Sequence, residues 1–314
     1  MDGMLNVLQD KVLNDANATI LTMFDEGSAL GGAEMQKTAQ GIVEVVKDYK
    51  IDNLTGLITI VGKSATLVKK NGDFVKNASA ESYTLLVKPQ AEAYVVQVDD
   101  RALRLQGPAR VIDTSAREHG YNVALRRVHL FRRDIRKGLT AKAPGEDSPA
   151  FWSTAQLINP ATGAAGGTYS NKLALALNDD NYATAYAALS SFVSEDGVTA
   201  RGLIPTHILV GPDLFKTAQK IVMAPQIFGG ATNVNSYEGV KVVVVHGLQA
   251  GEWILCAADE MGKPFGYSTQ LEAVMEYRGP VLDSIGTKTH VWRVDVEDAL
   301  SFVMPYRSIY SKAP

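Results

Sequence analysis

The residues that come nearest to a catalytic motif are Gly62, Lys63 and Ser64, which end like a phosphate-binding loop whose lysine reaches a nucleotide's phosphates. That loop needs four residues between its two glycines so that the backbone amides close around the phosphates, whereas Gly56 and Gly62 have five between them. A strand-forming run also follows Ser64 where a helix N-terminus should stand, so the segment reads as an exposed hairpin. Five histidines, His119, His129, His207, His246 and His290, show no ligand spacing, and the single cysteine, Cys256, has no partner. No metal site is expected from them. Ser64, Ser170 and Ser268 lack the Gly-x-Ser-x-Gly elbow, and the acid pairs Asp99-Asp100, Glu195-Asp196 and Asp295 with Glu297 read as turns or solvated strand edges. The sequence predicts no enzyme, no cofactor and no catalytic residue; the rival is an enzyme whose site is scattered along the chain.

One charge feature stands apart. Arg126, Arg127, Arg132, Arg133, Arg136 and Lys137 crowd together with only Asp134 opposing them, and Arg126, Arg133 and Lys137 share a helix face at i, i+7 and i+11. Two readings compete: a solvated or ion-paired helix face, with Glu118, Asp295 or Glu297 as partners, or a salt-dependent contact with a polyanion. No interleaved aromatic residues accompany the stripe, so base-specific reading is not indicated.

Composition narrows the class. The 314 residues carry 31 Lys and Arg against 34 Asp and Glu, a net charge of −3, with 46% apolar residues, which is ordinary for a globular chain. A net negative charge argues against attraction of the whole protein to nucleic acid. The lone Cys256, beside Trp253, Ile254 and Leu255, reads as a buried structural thiol. No apolar run reaches membrane-spanning length and the N-terminus lacks the pattern of a secretory signal, so the protein is expected to stay where it is made and to avoid membranes.

The elements that position these residues follow from periodicity. Leu5, Leu8 and Val12 begin a helix; after a break at Gly31-Gly32, expected to be a flexible joint, a second series runs through Met35, Ala39, Ile42, Val46 and Tyr49. Leu57–Val61, 65–70 and 73–75 read as strands, with Asn71-Gly72 as a hairpin turn. Further strands are expected at Tyr83–Lys88 and Ala93–Val98. A long helix is predicted from Ser115, with Glu118 completing a capping box, Tyr121, Leu125, Val128, Phe131 and Ile135 as its stripe, and Gly138 as its stop. A loop-rich stretch precedes a helix at Asp179-Asp180 carrying Tyr182, Tyr186, Leu189 and Val193. Strand Thr206–Val210 leads into a helix bearing Leu214, Ala218, Ile221 and Val222. The rest is mainly strand: 240–245, 252–257, 274–277, 291–296 and 301–304. The class is α+β.

An arm, a hairpin, a long helix, a mixed domain and returning strands, in that order, resemble the Hong Kong 97-type fold of tailed-phage major capsid proteins, shared with encapsulin shells. The specific resemblance lies in Phe151-Trp152-Ser153-Thr154, Gly167-Thr168-Tyr169-Ser170-Asn171, Leu175-Ala176-Leu177-Asn178, the helix from Asn181-Tyr182 to Phe192, Glu195-Asp196-Gly197, Leu203-Ile204-Pro205-Thr206-His207-Ile208-Leu209-Val210 and Gly229-Gly230-Ala231-Thr232-Asn233. This run is similar to the Mu-like major head subunit family. The resemblance implies an N-terminal arm at 1–53, an E-loop hairpin at 54–89, a peripheral domain with the spine helix at 90–139, an axial domain at 140–285 and a return to the peripheral domain at 286–314. It implies a structural major capsid protein that self-assembles as hexamers and pentamers into an icosahedral bacteriophage head around double-stranded DNA, a virion component assembled in the host cytoplasm. Scaffolding, portal and decoration proteins are further partners it implies; an encapsulin-like nanocompartment shell is the alternative.

On that reading the arm should be an assembly element whose deletion, Met1 to Gly32, leaves the core folded. Phe74 and Val75, beside the hairpin turn, should be buried against a neighbouring subunit. Arg126, Arg133 and Lys137 become candidates for contact with packaged DNA. Some capsids of this fold join subunits by a Lys–Asn isopeptide bond; Lys63, Lys69 and Lys70 lie in the right region. No matching Asn with a catalytic carboxylate beside it is evident, and no crosslink is expected.

Overall fold

The computed structural model describes residues 2–52, 55–61, 82–101, 110–145, 147–160, 163–223, 239–260, 262–282 and 288–314. The N-terminal half holds α1 (Asp2–Thr38), α2 (Gln40–Val45), β1 (Val46–Lys50), β2 (Leu57–Val61), β3 (Ser82–Leu86), β4 (Gln90–Asp99) and α3 (Arg110–Asp134). After it come β5 (Gln156–Leu157), β6 (Thr168–Tyr169), β7 (Lys172–Leu173), α4 (Asp179–Ser190), β8 (His207–Val210), α5 (Phe215–Met223) and β9 (Lys241–Val244). The chain ends with β10 (Glu252–Cys256), β11 (Phe265–Leu271), β12 (Met275–Leu282), β13 (Lys288–Phe302) and β14 (Ser308–Lys312). It divides into two compact units: Met1–Gln40, Pro89–His129 and Thr269–Ala299 in the first, Gly41–Lys88, Leu130–Ser268 and Leu300–Pro314 in the second.

In the first unit β13 pairs antiparallel with β4 on one side and β12 on the other, placing Trp292 opposite Val96 and Val294 opposite Met275. Alternation sends Trp292, Val294 and Val296 to one face with Val96 and Val98. That face is covered by Ala16, Ile20 and Phe24 of α1, spaced four apart on one helical stripe, and by Ala116 of α3. The indole of Trp292 donates to Asn17 Oδ1 at 2.9 Å.

The expectation of a flexible joint at Gly31-Gly32 is corrected by this packing. Helix α1 runs unbroken to Thr38, and Gly27 and Gly120 are where α1 and α3 approach most closely. A Cβ on Gly27 would overlap the Arg117 carbonyl, and one on Gly120 the Phe24 carbonyl. Both glycines serve proximity rather than bending. Gly120→Val is expected to cost about 1–3 kcal/mol as the helices are pushed apart, seen as a lower urea midpoint for the full chain.

In the second unit the sheet order is β7-β14-β10-β8-β9, with β10 antiparallel to β14 and β8, and with β9 and β7 joined in parallel at the edges. Ile208, Val210, Trp253, Leu255 and Ile309 meet Tyr182, Ala185 and Leu189 of α4 and Ala218 and Val222 of α5. Helix α4 starts where the acids suggested: Asn178 caps it, its Oδ1 accepting from the Asn181 amide at 2.8 Å. Cys256 is buried in β10, and burial pushes its thiol up, which is the structural role expected of it. Phe131, Phe151, Trp152, Phe265 and Phe302 pack ring against ring, and Gly138 lies so close to Trp152 and Phe302 that no side chain fits there.

Several element boundaries differ from the sequence expectation. Helix α3 begins at Arg110, so Ser115 and Glu118 lie inside it rather than capping it, and beyond Asp134 it tightens into a 3₁₀ turn from Ile135 to Leu139. Val46 and Tyr49 belong to strand β1, not to a helix. The two expected strands at 291–296 and 301–304 are one 15-residue strand, and β11 was not anticipated. Strands β2 and β3 pair antiparallel, Leu57 opposite Leu86 through Val61 opposite Ser82. The remainder of the expected hairpin, with Gly62-Lys63-Ser64, Lys69, Lys70, Asn71-Gly72, Phe74 and Val75, lies outside the described residues.

Candidate functional site

The basic residues of α3 turn out to have different surroundings. Arg126 is only 4% exposed. Its Nε and Nη2 donate to the two carboxylate oxygens of Asp298 at 2.6 and 2.7 Å, and its Nη1 donates to Glu92 and Tyr94. Burial by itself would weaken the guanidinium's hold on its proton; Asp298, then Glu92 and Tyr94, outweigh it and raise its pKa. The planar fork thus satisfies an acid that β13 forces inward. The stripe expectation is therefore corrected at Arg126, which is closed off by an ion pair, and its partners are Asp298 and Glu92 rather than Glu118, Asp295 or Glu297.

Arg133 and Lys137 are 46% and 53% exposed, and both reach Asp134 Oδ1 at 3.0 Å. Burial would raise the Asp134 carboxyl, but these two cations hold it below the usual carboxylate range. Arg136 turns elsewhere, its Nε meeting Glu252 Oε2 at 3.0 Å. Glu252 is fully buried at the start of β10, where it also accepts from Tyr310 Oη and the Gln249 amide, each at 2.8 Å. Against a burial effect that would raise it, those hydrogen bonds and Arg136 lower the Glu252 carboxyl. A Cβ on Gly247 would overlap the Arg132 carbonyl, so the turn before β10 rests directly on the end of the long helix.

A depressed carboxyl contributes stability above the ordinary carboxylate range and loses it as pH falls through the folded value. Chemical denaturation of the full chain is thus expected to show falling stability below about pH 4.5. Glu252→Gln should flatten that fall while lowering stability at pH 7; an unchanged slope would deny Glu252 the role.

Sequence reasoning missed Asp298 and Glu252, although one signal was available. The inward register of β13 runs His290, Trp292, Val294, Val296, Asp298, so period-two counting alone places a carboxylate in the interior, where it needs a cation. Apolar side chains also face outward: Leu86 at the end of β3 is 61% exposed and Val198 is 84% exposed. Val198 sits on a stiff turn in which Asp196 accepts from the Val198 and Thr199 amides at 3.0 and 2.9 Å. Arg201 braces it by an ion pair to Glu195 and by stacking over Tyr306. Among the described residues no group of three or more His, Cys, Asp or Glu is placed to hold a metal ion, and no helix is long and apolar enough to cross a membrane.

Residues 167–248 match the family model described as the Mu-like prophage major head subunit gpT. No curated protein matches the chain in sequence. Among solved structures, the crystal structure of a phage-related protein from Bordetella bronchiseptica RB50 is similar at a TM-score of 0.51 and 11% identity, covering 90% of this chain and 96% of that one. The procapsid protein of bacteriophage JBD30 is similar at 0.48 and 13%, covering 97% and 76%, and the virus-like particle of Pyrococcus furiosus at 0.48 and 12%, covering 93% and 97%. Over residues 167–248 the chain is similar to the Mu-like prophage major head subunits, and its α+β fold is shared over nine tenths of its length with a phage-related protein.

Proposed function

We propose that this chain is a structural major capsid protein, which self-assembles as hexamers and pentamers into the icosahedral head of a tailed phage or prophage. The match of residues 167–248 to a head-subunit model carries the reading. It falls on α4, β8 and α5, whose role is packing rather than chemistry. The exposed apolar Leu86 and Val198 suit a subunit that neighbours cover. Double-stranded DNA is the cargo and the virion the final location, after assembly in the host cytoplasm with scaffolding, portal and decoration proteins as partners. The domain division of arm, E-loop, peripheral and axial domains at 1–53, 54–89, 90–139, 140–285 and 286–314 belongs to this reading, with Phe74 and Val75 as its intersubunit contacts. For DNA, Arg133 and Lys137 are the cations of the original stripe that reach solvent; Arg126 serves folding.

Sedimentation velocity of the purified full chain tests the proposal. A boundary of very large, uniform particles that grows with protein concentration supports it; a single monomer boundary at every concentration tried contradicts it.

A further inference from the structure

His207 was one of five histidines without an evident role, and its surroundings are unusual. It is buried at the start of β8, directly opposite Lys241 of β9 in the parallel register. Its Nε2 lies 2.7 Å from Glu44 Oε2, and both Glu44 oxygens accept from Lys241 Nζ at 2.8 Å. Glu44 belongs to α2, a helix of six residues, too short to persist without outside support. Part of that support is apolar, with Ile42 and Val45 buried and Gly41 packed on Val243, and part is polar, with Lys263 Nζ donating to the Val43 and Val46 carbonyls at 3.1 and 3.2 Å and Glu44 reaching β8 and β9.

The hydrogen bonds around His207 are shortest for a neutral ring. With Nε2 donating to Glu44, Nδ1 accepts from Thr206 Oγ1 at 2.8 Å. That hydroxyl already accepts from the Ala258 amide at 2.9 Å. A second ring proton at Nδ1 would turn the hydroxyl hydrogen toward the Ala258 or Cys256 carbonyl, at the longer distances of 3.3 and 3.4 Å. The imidazolium would also be repelled by the ammonium groups of Lys241 and Lys263, while Glu44 already serves as the counter-ion of Lys241. Burial first, and the two lysines after it, lower the His207 pKa against the opposing pull of Glu44.

We propose that Glu44, His207 and Lys241 form a proton-sensitive clasp that holds α2 on the β8–β9 end of the sheet near neutral pH and loosens as His207 takes up a proton. A histidine whose folded pKa is depressed contributes its stability above about pH 6.5 and loses it as pH falls toward the folded value. Undocking α2 lets the ring take its proton in water. Protonation of Glu44, itself lowered by Lys241 and His207 against burial, would complete the release at lower pH. This is a conformational device of the subunit and stands whether or not shells form.

Hydrogen exchange of the full-length chain, followed by mass spectrometry on peptides covering 40–46 and normalised to intrinsic rates, reads the clasp directly. From pH 7.5 to 5.5 protection of this segment should fall about tenfold, with the β8 and β10 peptides unchanged. In Glu44→Gln protection should already be low at pH 7.5, and in His207→Gln the pH dependence should vanish. Lys241→Met, at a side chain more than half exposed, should fold normally and shift the loosening to higher pH by removing a neighbouring cation. Constant protection in the parent protein, the same fall in a folded His207→Gln, or an unshifted midpoint in Lys241→Met would each overturn the proposal.

Discussion

Arg126→Gln is expected to cost the folded subunit about 3–5 kcal/mol, because it leaves the carboxylate of Asp298, 1% exposed, buried without its cation. In a thermal melt this corresponds to a drop of about 10 °C or more. Arg133→Gln and Lys137→Gln remove half-exposed partners of Asp134 and should each change stability by under about 1 kcal/mol. The contrast separates two roles that one helix stripe appeared to share. Arg126→Leu combined with Asp298→Leu should recover most of the loss, since no unpaired interior charge remains and Glu92, 43% exposed, can be solvated. If Arg126→Gln melts with the parent protein, the guanidinium is not the buried partner described above. DNA retention by assembled shells then has a clean test in the Arg133→Gln, Lys137→Gln double variant, which should lower retention and its salt dependence without affecting folding.

Deleting Met1 to Gly32, within the proposed arm, is expected to unfold the first unit, because helix α1 also covers that unit's core. The deletion removes Ala16, Ile20 and Phe24, and uncovers Trp292, Val294 and Val96. Fully burying an Ile or Phe side chain is worth about 1.5–3 kcal/mol, so losing two of them takes away much of a typical domain's margin. Near-UV circular dichroism should lose the Trp292 contribution in the truncated chain. Ile20→Ala, a milder change, should cost about 2–5 kcal/mol, whereas Leu30→Ser, at a side chain already facing solvent, should cost almost nothing. A truncated chain that melts cooperatively at the parent temperature would restore the picture of a detachable arm.

How much could be read beforehand depended on the range of the interaction. The α+β class, the stripe Leu125, Val128, Phe131 and Ile135, the start of α4 and the strands around Ile208 and Ile254 all follow from local periodicity. The expected break at Gly31-Gly32 did not occur, because glycine's freedom and its small size look the same in a sequence. Only the second helix, whose Tyr121 carbonyl and Ala124 lie where a side chain on Gly31 would stand, decides between them. Tyr49 was placed on a helix because Val46 and Tyr49 fit a three-residue spacing, but pairing within a sheet overrode that local pattern. The basic face of α3 was legible as charge, while the destination of each charge was set by acids far along the chain, Asp298 for Arg126 and Glu252 for Arg136. His207 carries no local mark at all. Its partner Glu44 lies 163 residues away, and only the fold brings them together.

Electron microscopy of the purified full-length chain, negatively stained at neutral pH, tests the capsid reading most directly. Closed shells of uniform diameter with hexameric and pentameric units are the expected result. A field of isolated monomers or small open oligomers, from protein that melts cooperatively and is therefore folded, would contradict it.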